Sequence, residues 1–208
     1  MDISLKKKMM REEIWDFLVK EKVARFPLPL KDRIPNFEGS EKAADLVKTL
    51  PEWSKAEVIF SNPDYAQKKI RKNALKEEKY LIMASPKLKQ GFIGISPENV
   101  KGKEEFASTI KGAFKYGKIL EKTPKPDLII TGCVAVGKNG FRLGKGGGYG
   151  DREIQLIQNQ FGKIPVVTTV HSFQLVEEVP VEKNDTKVDI IVTSEKIIRV
   201  QDLKKLSK

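Results

Sequence analysis

The amino-acid sequence predicts an α/β protein: a three-layer fold with a mainly parallel β-sheet and helices on both faces. Short, almost entirely apolar segments recur along the chain, separated by segments in which apolar residues have helical spacing. Strands that are apolar on both faces are typical of parallel sheets buried between two layers of helices. The chain has 208 residues, of which 39% are hydrophobic, and this suffices for one domain with a substantial core.

The predicted helices are identified by apolar residues that recur three or four positions apart. The first spans residues 5–20, and the second is capped by Ser40 and stopped by Pro51. Later helices contain Ile70, Ala74 and Leu75, then Phe106, Ile110 and Phe114, and finally Ile154, Leu156, Ile157 and Phe161. Residues 24–39 contain three prolines and predict an extended loop.

Short apolar segments predict the strands of this sheet. They comprise residues 56–60, 80–84, 127–131, 165–170, 188–192 and 197–200, the last two joined by a tight turn. Ligands of such sheets usually bind beyond the carboxyl ends of the strands. We therefore expect a functional site in the loops that follow these strands.

The formal net charge of +11 favours polyanionic partners. Nucleotide phosphates, phosphorylated or polyglutamylated small molecules and nucleic acid all fit this charge. The basic residues are nevertheless spread along the whole chain, so a solvated surface like that of heat-stable proteins is an equal alternative.

The cysteine and histidine content and the hydropathy of the chain restrict the cellular compartment and the kinds of metal site that are possible. Cys133 is the only cysteine, so no internal disulfide can form, which fits a reducing compartment. No run of about 18 apolar residues and no secretory signal is found, so we predict a cytoplasmic protein without a membrane anchor. We expect Cys133 and the single histidine, His171, to be packed or hydrogen-bonded, and a two-histidine metal site is excluded.

A glycine-rich segment between a predicted strand and a predicted helix is the strongest candidate for a functional site. It reads Arg142-Leu143-Gly144-Lys145-Gly146-Gly147-Gly148-Tyr149-Gly150-Asp151. Glycines let backbone N–H groups approach an anion closely, and the start of the next helix adds its positive end. Arg142 and Lys145 can pair with phosphate oxygens. The segment therefore predicts binding of the ATP phosphates, with a flexible surface loop as the alternative.

The spacing within this segment fits neither of the two common phosphate-binding motifs. A Walker A loop needs four residues between its glycines, whereas three separate Gly140 from Gly144, and Lys145 is not followed by Ser or Thr. The dinucleotide-binding fingerprint requires a glycine where this chain has Tyr149. Asp151, at the expected start of the helix, is either a helix cap or a ligand for Mg²⁺ beside the triphosphate.

From Arg142 to Asp151 the chain resembles the signature Arg-Leu-Gly-x-Gly-x-Gly-Tyr-Tyr-Asp of the 5-formyltetrahydrofolate cyclo-ligase (methenyltetrahydrofolate synthetase) family. The difference is Gly150, where the family has its second tyrosine. Similarity continues at Gln174-Leu-Val, Val179-Pro180, Asp185 and Val188-Asp189-Ile-Ile-Val-Thr193. On the first helix, Lys7 and Arg11 match the Lys-x-x-x-Arg with which the family opens, and this spacing puts both on one helix face.

The resemblance implies an α/β fold of the kind found in sugar-phosphate isomerases and coenzyme A transferases. It also implies a ligase that uses ATP and Mg²⁺ to convert 5-formyltetrahydrofolate, a reduced folate, to 5,10-methenyltetrahydrofolate. By position, residues 1–22 would contribute to the nucleotide site. The phosphates would be held by Lys7, Arg11, Arg142, Leu143, Gly144, Lys145, Gly146, Gly147 and Gly148. Tyr149 would act in catalysis with Arg142 and Lys145, and Asp151 would bind the metal.

The stretch after the first predicted strand of the sheet departs from the family pattern. The family has there a glutamate that helps to hold the pterin, whereas this chain has Asn62-Pro63-Asp64-Tyr65-Ala66-Gln67. This stretch and Arg33-Ile34-Pro35-Asn36-Phe37 resemble a divergent branch described as methenyltetrahydrofolate-synthetase-domain-containing. The candidate substrate-binding residues are Arg33, Asn36, Asp64 and Gln67, each with contact to solvent or a helix cap as the alternative.

The sequence features described above leave three functions open. The first is the folate cyclo-ligase, with residues 1–208 as one domain and 201–208 as a flexible tail. The second is an ATP-dependent ligase or kinase that acts on another substrate, which the missing glutamate suggests. The third is a nucleic-acid-binding protein, which the charge favours although no RNA-binding motif is recognisable.

Overall fold

The computed structural model describes residues 2–202, in which helices and strands alternate along most of the chain. The helices are α1 (Ile3–Lys20), α2 (Ser40–Val47), α3 (Pro51–Lys55), α4 (Lys68–Lys76), α5 (Glu104–Ala107), α6 (Ile110–Tyr116) and α7 (Tyr149–Phe161). The strands are β1 (Ala24–Arg25), β2 (Asn36–Phe37), β3 (Val58–Ser61), β4 (Tyr80–Ala84), β5 (Phe92–Ile95), β6 (Lys118–Ile119), β7 (Leu128–Thr131), β8 (Ala135–Gly137), β9 (Arg142–Leu143), β10 (Val166–Thr169), β11 (Leu175–Val176), β12 (Ile190–Val192) and β13 (Ile197–Arg199).

Eight of these strands form a central sheet in the order β13-β12-β10-β7-β3-β4-β5-β6. The five strands from β12 to β4 in this order run parallel, while β13 and β5 are antiparallel to their neighbours. The predicted mainly parallel sheet is therefore confirmed, with its antiparallel strands near the edges. Burial on both faces accounts for the near-continuous apolar composition of the parallel strands.

Helices cover both faces of this sheet, because successive residues of a strand point to opposite faces and both faces are apolar. On one face, Ile130 of β7 belongs to a buried cluster with Trp53 of α3. On the other face, Ile129 packs in a second cluster with Ile154 and Ile157 of α7. All five side chains are at most 1% exposed. The predicted arrangement of helices on both faces is thus confirmed.

A smaller three-stranded sheet, in the order β11-β8-β9, supports α1. Trp15 and Leu18 of α1 lie in a third buried cluster with Ala135 and Leu143 of this sheet. The Trp15 indole N–H also donates a hydrogen bond of 3.0 Å to the carbonyl of Arg33. Because β9 is the first part of the glycine-rich segment, this packing places α1 against the candidate site.

Two helix boundaries differ from the sequence-based expectation. Ser40 is the first residue of α2 rather than its cap, and Pro51 occupies the first turn of α3, where the missing N–H of proline costs no hydrogen bond. The single helix expected around residues 106–114 is divided into α5 and α6. Thr109 lies between them and caps α6, because its hydroxyl accepts the N–H of Gly112 at 3.0 Å.

Two further differences concern strands. Residues 24–39, expected to form a loop, contain the antiparallel pair β1 and β2. The pattern does not predict β5, β6 or the small sheet of β8, β9 and β11. Both side chains of β6 are exposed, so no apolar alternation marks it. The predicted tail, 201–208, lies outside the described residues from residue 203 onward. Within residues 2–202, none of the helices combines the length and the apolar character that crossing a bilayer requires.

The connections change direction between β3 and β7. From β3 the chain passes through α4 to β4 on one side, and from β7 it passes through α7 to β10 on the other. The segments that follow β3 and β7 therefore diverge and leave a crevice at their carboxyl ends, where sheets of this type bind ligands. The N–H of Gly132 donates a hydrogen bond of 3.1 Å to Oδ1 of Asn62 and joins the two segments there.

The central position of β7 predicts a large effect of truncating its buried side chains. We expect Ile130→Ala, at 0% exposure, to lower the free energy of unfolding by about 2–5 kcal/mol, because it leaves a cavity between the sheet and α3. Ile119→Ala, at 48% exposure on β6, is the matched control and should cost less than about 1 kcal/mol. Urea unfolding followed by circular dichroism measures both, and equal losses would contradict the assignment of β7 to the core.

Candidate functional site

A cavity of about 860 Å³ opens at the carboxyl ends of β3, β4 and β7. Its volume is within the usual range for small-molecule sites, roughly 300–1,000 Å³. The segments that follow the three strands contribute Asn62–Asp64, Pro86–Lys87 and Gly132 to its wall. Much of the glycine-rich segment and the first turn of α7 also line it, through Gly144, Lys145, Gly147, Gly148, Tyr149, Gly150, Asp151 and Glu153. The cavity thus coincides with the crevice between β3 and β7.

The glycine-rich segment turns sharply between β9 and α7. Gly146 and Gly148 have φ angles of 106° and 66°, in the left-handed region where a side chain is strained. Gly148 is the N-cap residue of α7, so Asp151 lies in the first turn of the helix rather than at its cap position. The residues at the start of this 13-residue helix line the cavity, so its N-terminus with the unpaired N–H groups adjoins it, an arrangement that favours anions.

Arg11 and Lys7 share a face of α1 but have different partners. Nε of Arg11 donates a hydrogen bond of 2.7 Å to the carbonyl of Gly144, so this cation lies directly behind the glycine-rich segment. Nζ of Lys7 instead contacts Glu182 at 2.7 Å and Asp185 at 2.6 Å. Burial lowers the pKa of Lys7, but the hydrogen bonds with Asp185 and Glu182 outweigh it and the pKa is raised. Lys7 therefore anchors the 182–185 segment and lies outside the cavity wall.

Arg142 and Asp151 form a buried ion pair in the floor of the cavity. Arg142 is 3% exposed, and its Nη1 donates to the carbonyl of Gly132 at 3.2 Å. Its Nη2 lies 3.0 Å from Oδ1 of Asp151 without the alignment of a hydrogen bond. The same Oδ1 accepts the N–H and the hydroxyl of Thr186, at 3.0 and 2.7 Å. Oδ2 of Asp151 has no hydrogen bond with any residue that the structure describes.

Gly150 provides the space that the Arg142 guanidinium occupies. A Cβ atom at position 150 would lie 2.5 Å from Nη2 of Arg142, which is far inside the van der Waals contact distance. The glycine at this position is therefore coupled to the inward orientation of Arg142.

The opposite wall is formed by the turn Asn62–Asp64 after β3, which Arg71 holds from below. Arg71 is fully buried and donates to the carbonyl groups of Ser108, Asn62, Asp64 and Pro63. Burial lowers the pKa of Arg71 to about 10, so the guanidinium remains charged at neutral pH. Across the cavity, Nζ of Lys145 contacts Oδ1 of Asp64 at 2.8 Å and links this turn to the glycine-rich segment.

Glu153 is a residue of the cavity wall that the sequence-based reasoning missed. It is 3% exposed, and its Oε2 accepts a hydrogen bond from the side-chain amide of Asn62. The pKa of Glu153 is raised to about 8, because burial and the charge of Asp64 raise it more than Arg142 lowers it. The sequence contained a signal for the inward position of Glu153. Residues three apart share a face of a helix, so Glu153 lies on the face of Gly150, and it also adjoins the buried Ile154.

The remaining candidate residues lie in several different environments. Arg33 lines the cavity, and its Nε donates to the carbonyl of Pro29 at 3.1 Å. Asn36 and Gln67 are buried outside the cavity wall. The Asn36 amide donates to the carbonyl of Phe26 at 2.7 Å, whereas both amide atoms of Gln67 lack a partner among the described residues. Leu143 contributes its side chain to the core beneath α1.

Cys133 and His171 are packed or hydrogen-bonded, in agreement with the sequence-based expectation. Cys133 is buried beside Thr168, and burial raises the pKa of its thiol to about 11, so it has no reactive thiolate at neutral pH. Nδ1 of His171 accepts the N–H of Phe173 at 3.3 Å. Both residues lie outside the cavity wall.

The donor groups of this site suit a cation that arrives with a phosphate ligand. Within residues 2–202, no three histidine, cysteine, aspartate or glutamate side chains are grouped as a metal site. Oδ2 of Asp151 nevertheless offers one carboxylate oxygen beside the phosphate-binding features. Mg²⁺ is commonly held by one or two carboxylates together with substrate phosphates and water, so this donor set fits it.

The contact between Gly150 and Arg142 predicts an unusual effect of Gly150→Ala. Replacing a helical glycine by alanine normally stabilises a protein by up to about 1 kcal/mol. Here we expect a loss of about 1–3 kcal/mol, because the methyl group forces the Arg142 guanidinium out of the floor. Gln160→Ala, at an exposed position of α7, is the control for helix propensity. Thermal unfolding distinguishes the two cases, and a stabilised Gly150→Ala protein would show that Arg142 has room to move.

The comparisons with known proteins agree with this geometry. Residues 4–194 match the model of the 5-formyltetrahydrofolate cyclo-ligase family. Methenyltetrahydrofolate synthase domain-containing proteins of Bos taurus and Homo sapiens are 36% and 33% identical to the chain, over 92% and 94% of its length. The chain spans about half the length of these curated relatives, 53% and 54% respectively.

Solved structures extend the similarity to the fold. The 5,10-methenyltetrahydrofolate synthetase of Aquifex aeolicus has a TM-score of 0.59 at 25% identity, covering 93% of this chain and 94% of that one. The enzyme of the same name from Mycoplasma pneumoniae has a TM-score of 0.54 at 16% identity, covering 92% of this chain and 98% of that one, and supports the fold alone. The match over almost the whole sequence and the shared architecture lead to one conclusion: the chain belongs to the 5-formyltetrahydrofolate cyclo-ligase family.

Proposed function

We propose that this protein is an ATP-dependent 5-formyltetrahydrofolate cyclo-ligase that produces 5,10-methenyltetrahydrofolate, ADP and phosphate. The observation that carries the proposal is the position of the glycine-rich segment. The segment faces a cavity large enough for a second ligand, and it brings a helix N-terminus, Lys145 and the open oxygen of Asp151 to the same wall. Family membership over residues 4–194 supports the same reaction class.

In this proposal the ATP phosphates lie along the glycine-rich segment. Backbone N–H groups from Gly144 to Gly148 and the start of α7 donate to the phosphate oxygens. Lys145 exchanges Asp64 for a phosphate oxygen, since its ion pair is at the cavity surface and is easily replaced. Arg11 of α1 adds positive charge behind the segment, and Lys7 supports it indirectly by fixing residues 182–185.

Oδ2 of Asp151 is the oxygen that the protein offers to Mg²⁺. When bound, Mg²⁺ supplies neutralisation of the phosphate charge during transfer. Arg142 and Thr186 hold the other carboxylate oxygen, so Oδ2 keeps one direction. This preorganisation means that the carboxylate does not need to reorient when the reactants bind.

The chemical step needs orientation of two ligands rather than a protein nucleophile. The formyl oxygen on N5 attacks the γ-phosphorus, and the bond from that phosphorus to ADP breaks. N10 then attacks the formyl carbon, phosphate leaves, and the N10 proton is released. Lys145 and Arg142 balance the developing negative charge, and Tyr149 lines the region between the ligands.

The remainder of the cavity suits a flat ring with an anionic tail. Phe26 and Tyr65 form an edge-to-face pair with ring centroids 5.3 Å apart, and Phe106 lies on the same wall. Such surfaces favour planar ligands. Arg33 and Lys111, also on the wall, provide charges for the carboxylates of a folate.

Two other functions fit parts of this geometry. An ATP-dependent ligase or kinase with another substrate would use the same phosphate site. A nucleic-acid-binding role is favoured by the partly exposed Phe26, Tyr65 and Phe106, because aromatic surfaces beside cations stack bases. Lys68 lies 5.6 Å from the centroid of the Tyr65 ring and adds such a cation. A steep decrease of RNA affinity with salt, starting well below micromolar dissociation constants, would support that role.

The proposed reaction is tested by the absorbance of methenyltetrahydrofolate after the protein is mixed with Mg-ATP and 5-formyltetrahydrofolate. We expect a rise that requires both ATP and protein. Asp151→Asn should reduce it at least about tenfold, because the amide is a poor Mg²⁺ ligand and weakens the pair with Arg142. The absence of a rise, with ATP binding confirmed by calorimetry, would exclude this substrate and direct the search to other acceptors or to RNA.

The ion pair between Lys145 and Asp64 predicts opposite effects of neutralising its two members. Lys145→Ala should weaken ATP binding about tenfold or more, since it removes a charge-assisted contact with phosphate. Asp64→Asn should leave ATP affinity unchanged or increase it, because Lys145 loses its competing partner. Calorimetry with ATP compares the two variants. Unchanged affinity in Lys145→Ala would remove this side chain from the phosphate site.

A further inference from the structure

The floor of the cavity contains a connected set of buried polar groups, among which the carboxyl group of Glu153 keeps an open acceptor. Gly132 is bonded to both sides of this set, through its N–H to Asn62 and through its carbonyl to Arg142. The Asn62 amide continues the connection to Oε2 of Glu153. Oε1 of Glu153 has no hydrogen bond with the residues that the structure describes, and Glu153 lines the cavity.

The orientation of the Glu153 carboxyl group is fixed by its neighbours. Because a backbone N–H donates to Oδ1 of Asn62, the Nδ2 end of that amide is the end directed at Glu153. Asn62 is itself 3% exposed, so its side chain has little freedom to turn. Oε2 is thereby held on the protein side, and Oε1 is left on the ligand side.

The buried carboxyl group of Glu153 needs a further hydrogen-bond donor, which the described residues do not provide. At 3% exposure the side chain has lost nearly all contact with water, and no lysine or arginine among residues 2–202 lies within ion-pair distance. Buried carboxyl groups are normally paired or fully hydrogen-bonded, since an unmet acceptor costs free energy. The cavity in front of Oε1 is the place from which a donor can come.

We propose that Glu153, positioned by Asn62, recognises the N–H edge of a planar aminopyrimidine ring. As a carboxylate, Glu153 offers only acceptor lone pairs to the cavity through Oε1, so the partner that it selects presents N–H donors. The aromatic side chains of Tyr65, Phe106 and Tyr149 also line the cavity and fit a planar ring. The assignment rests on the proposed function for the identity of the ring, which is then the pteridine of the folate. Glu153 is thus a specificity-determining residue.

The test compares 5-formyltetrahydrofolate with its 2-desamino analogue, which lacks the amino donor, by calorimetry without ATP. The wild-type protein should prefer the amino compound roughly 10–100-fold, the usual effect of one charge-assisted contact. In Glu153→Gln the N–H groups of the new amide face the N–H groups of the ligand. The preference for the amino compound should therefore fall below about threefold. A purely structural role would weaken both ligands equally and leave the ratio unchanged.

Two further variants control for misfolding. Glu78→Gln makes the same chemical change at the surface, where Glu78 pairs with Lys101, and should retain the wild-type ratio. The exchange variant Glu153→Gln/Asn62→Asp restores one carboxylate and one amide to the floor. It should recover at least part of the preference, whereas failure to recover it in a folded protein would count against recognition by this pair.

The outcomes separate this inference from the proposed function. Turnover of 5-formyltetrahydrofolate with an unchanged ratio in Glu153→Gln supports the ligase and overturns the role of Glu153. A wild-type preference that Glu153→Gln abolishes, without turnover, supports the role of Glu153 and overturns the reaction. Binding of neither compound to the wild-type protein overturns both.

Discussion

The buried guanidinium of Arg142 is the interaction on which the rest of the site depends. It joins the end of β7 through Gly132, the first turn of α7 through Asp151, and the 186 region through Thr186. A buried cation is costly unless acceptors surround it, so these segments must meet at one point for the fold to be stable. The glycine at position 150 is part of the same constraint, because the guanidinium fills the volume beside it.

A second buried cation extends this principle to the opposite wall. Arg71 has no carboxylate at ion-pair distance among the described residues and is surrounded by carbonyl oxygens, which fix the turn after β3. The cavity therefore lies between two rigid polar supports, each built from main-chain acceptors around an arginine. The movable charges, such as Lys145, lie at the surface between them. Rigid support with movable surface charges suits a site that must position two ligands.

The sequence predicts the framework well and the contacts of its site less well. Apolar segments predict the parallel strands because burial on both faces leaves a strong signal, whereas β6 has two exposed residues and leaves none. The glycine-rich segment is recognisable because its residue types are unusual. The partners of Lys7 were not predictable, since Asp185 is 178 positions away and only tertiary packing brings them together. Glu153 was overlooked because a glutamate in the first turns of a helix is ordinarily solvated.

The contacts of α1 have a consequence for the order of events during synthesis. α1 leaves the ribosome before residue 144 and residues 182–185, to which the groups bound by Arg11 and Lys7 belong. The buried apolar side chains of α1, among them Trp15 and Leu18, are therefore shielded from water only after β8 and β9 have been translated. Until then the nascent chain exposes the apolar side chains of α1, which makes chaperone contact advantageous and places maturation of the site after translation of residues 182–185.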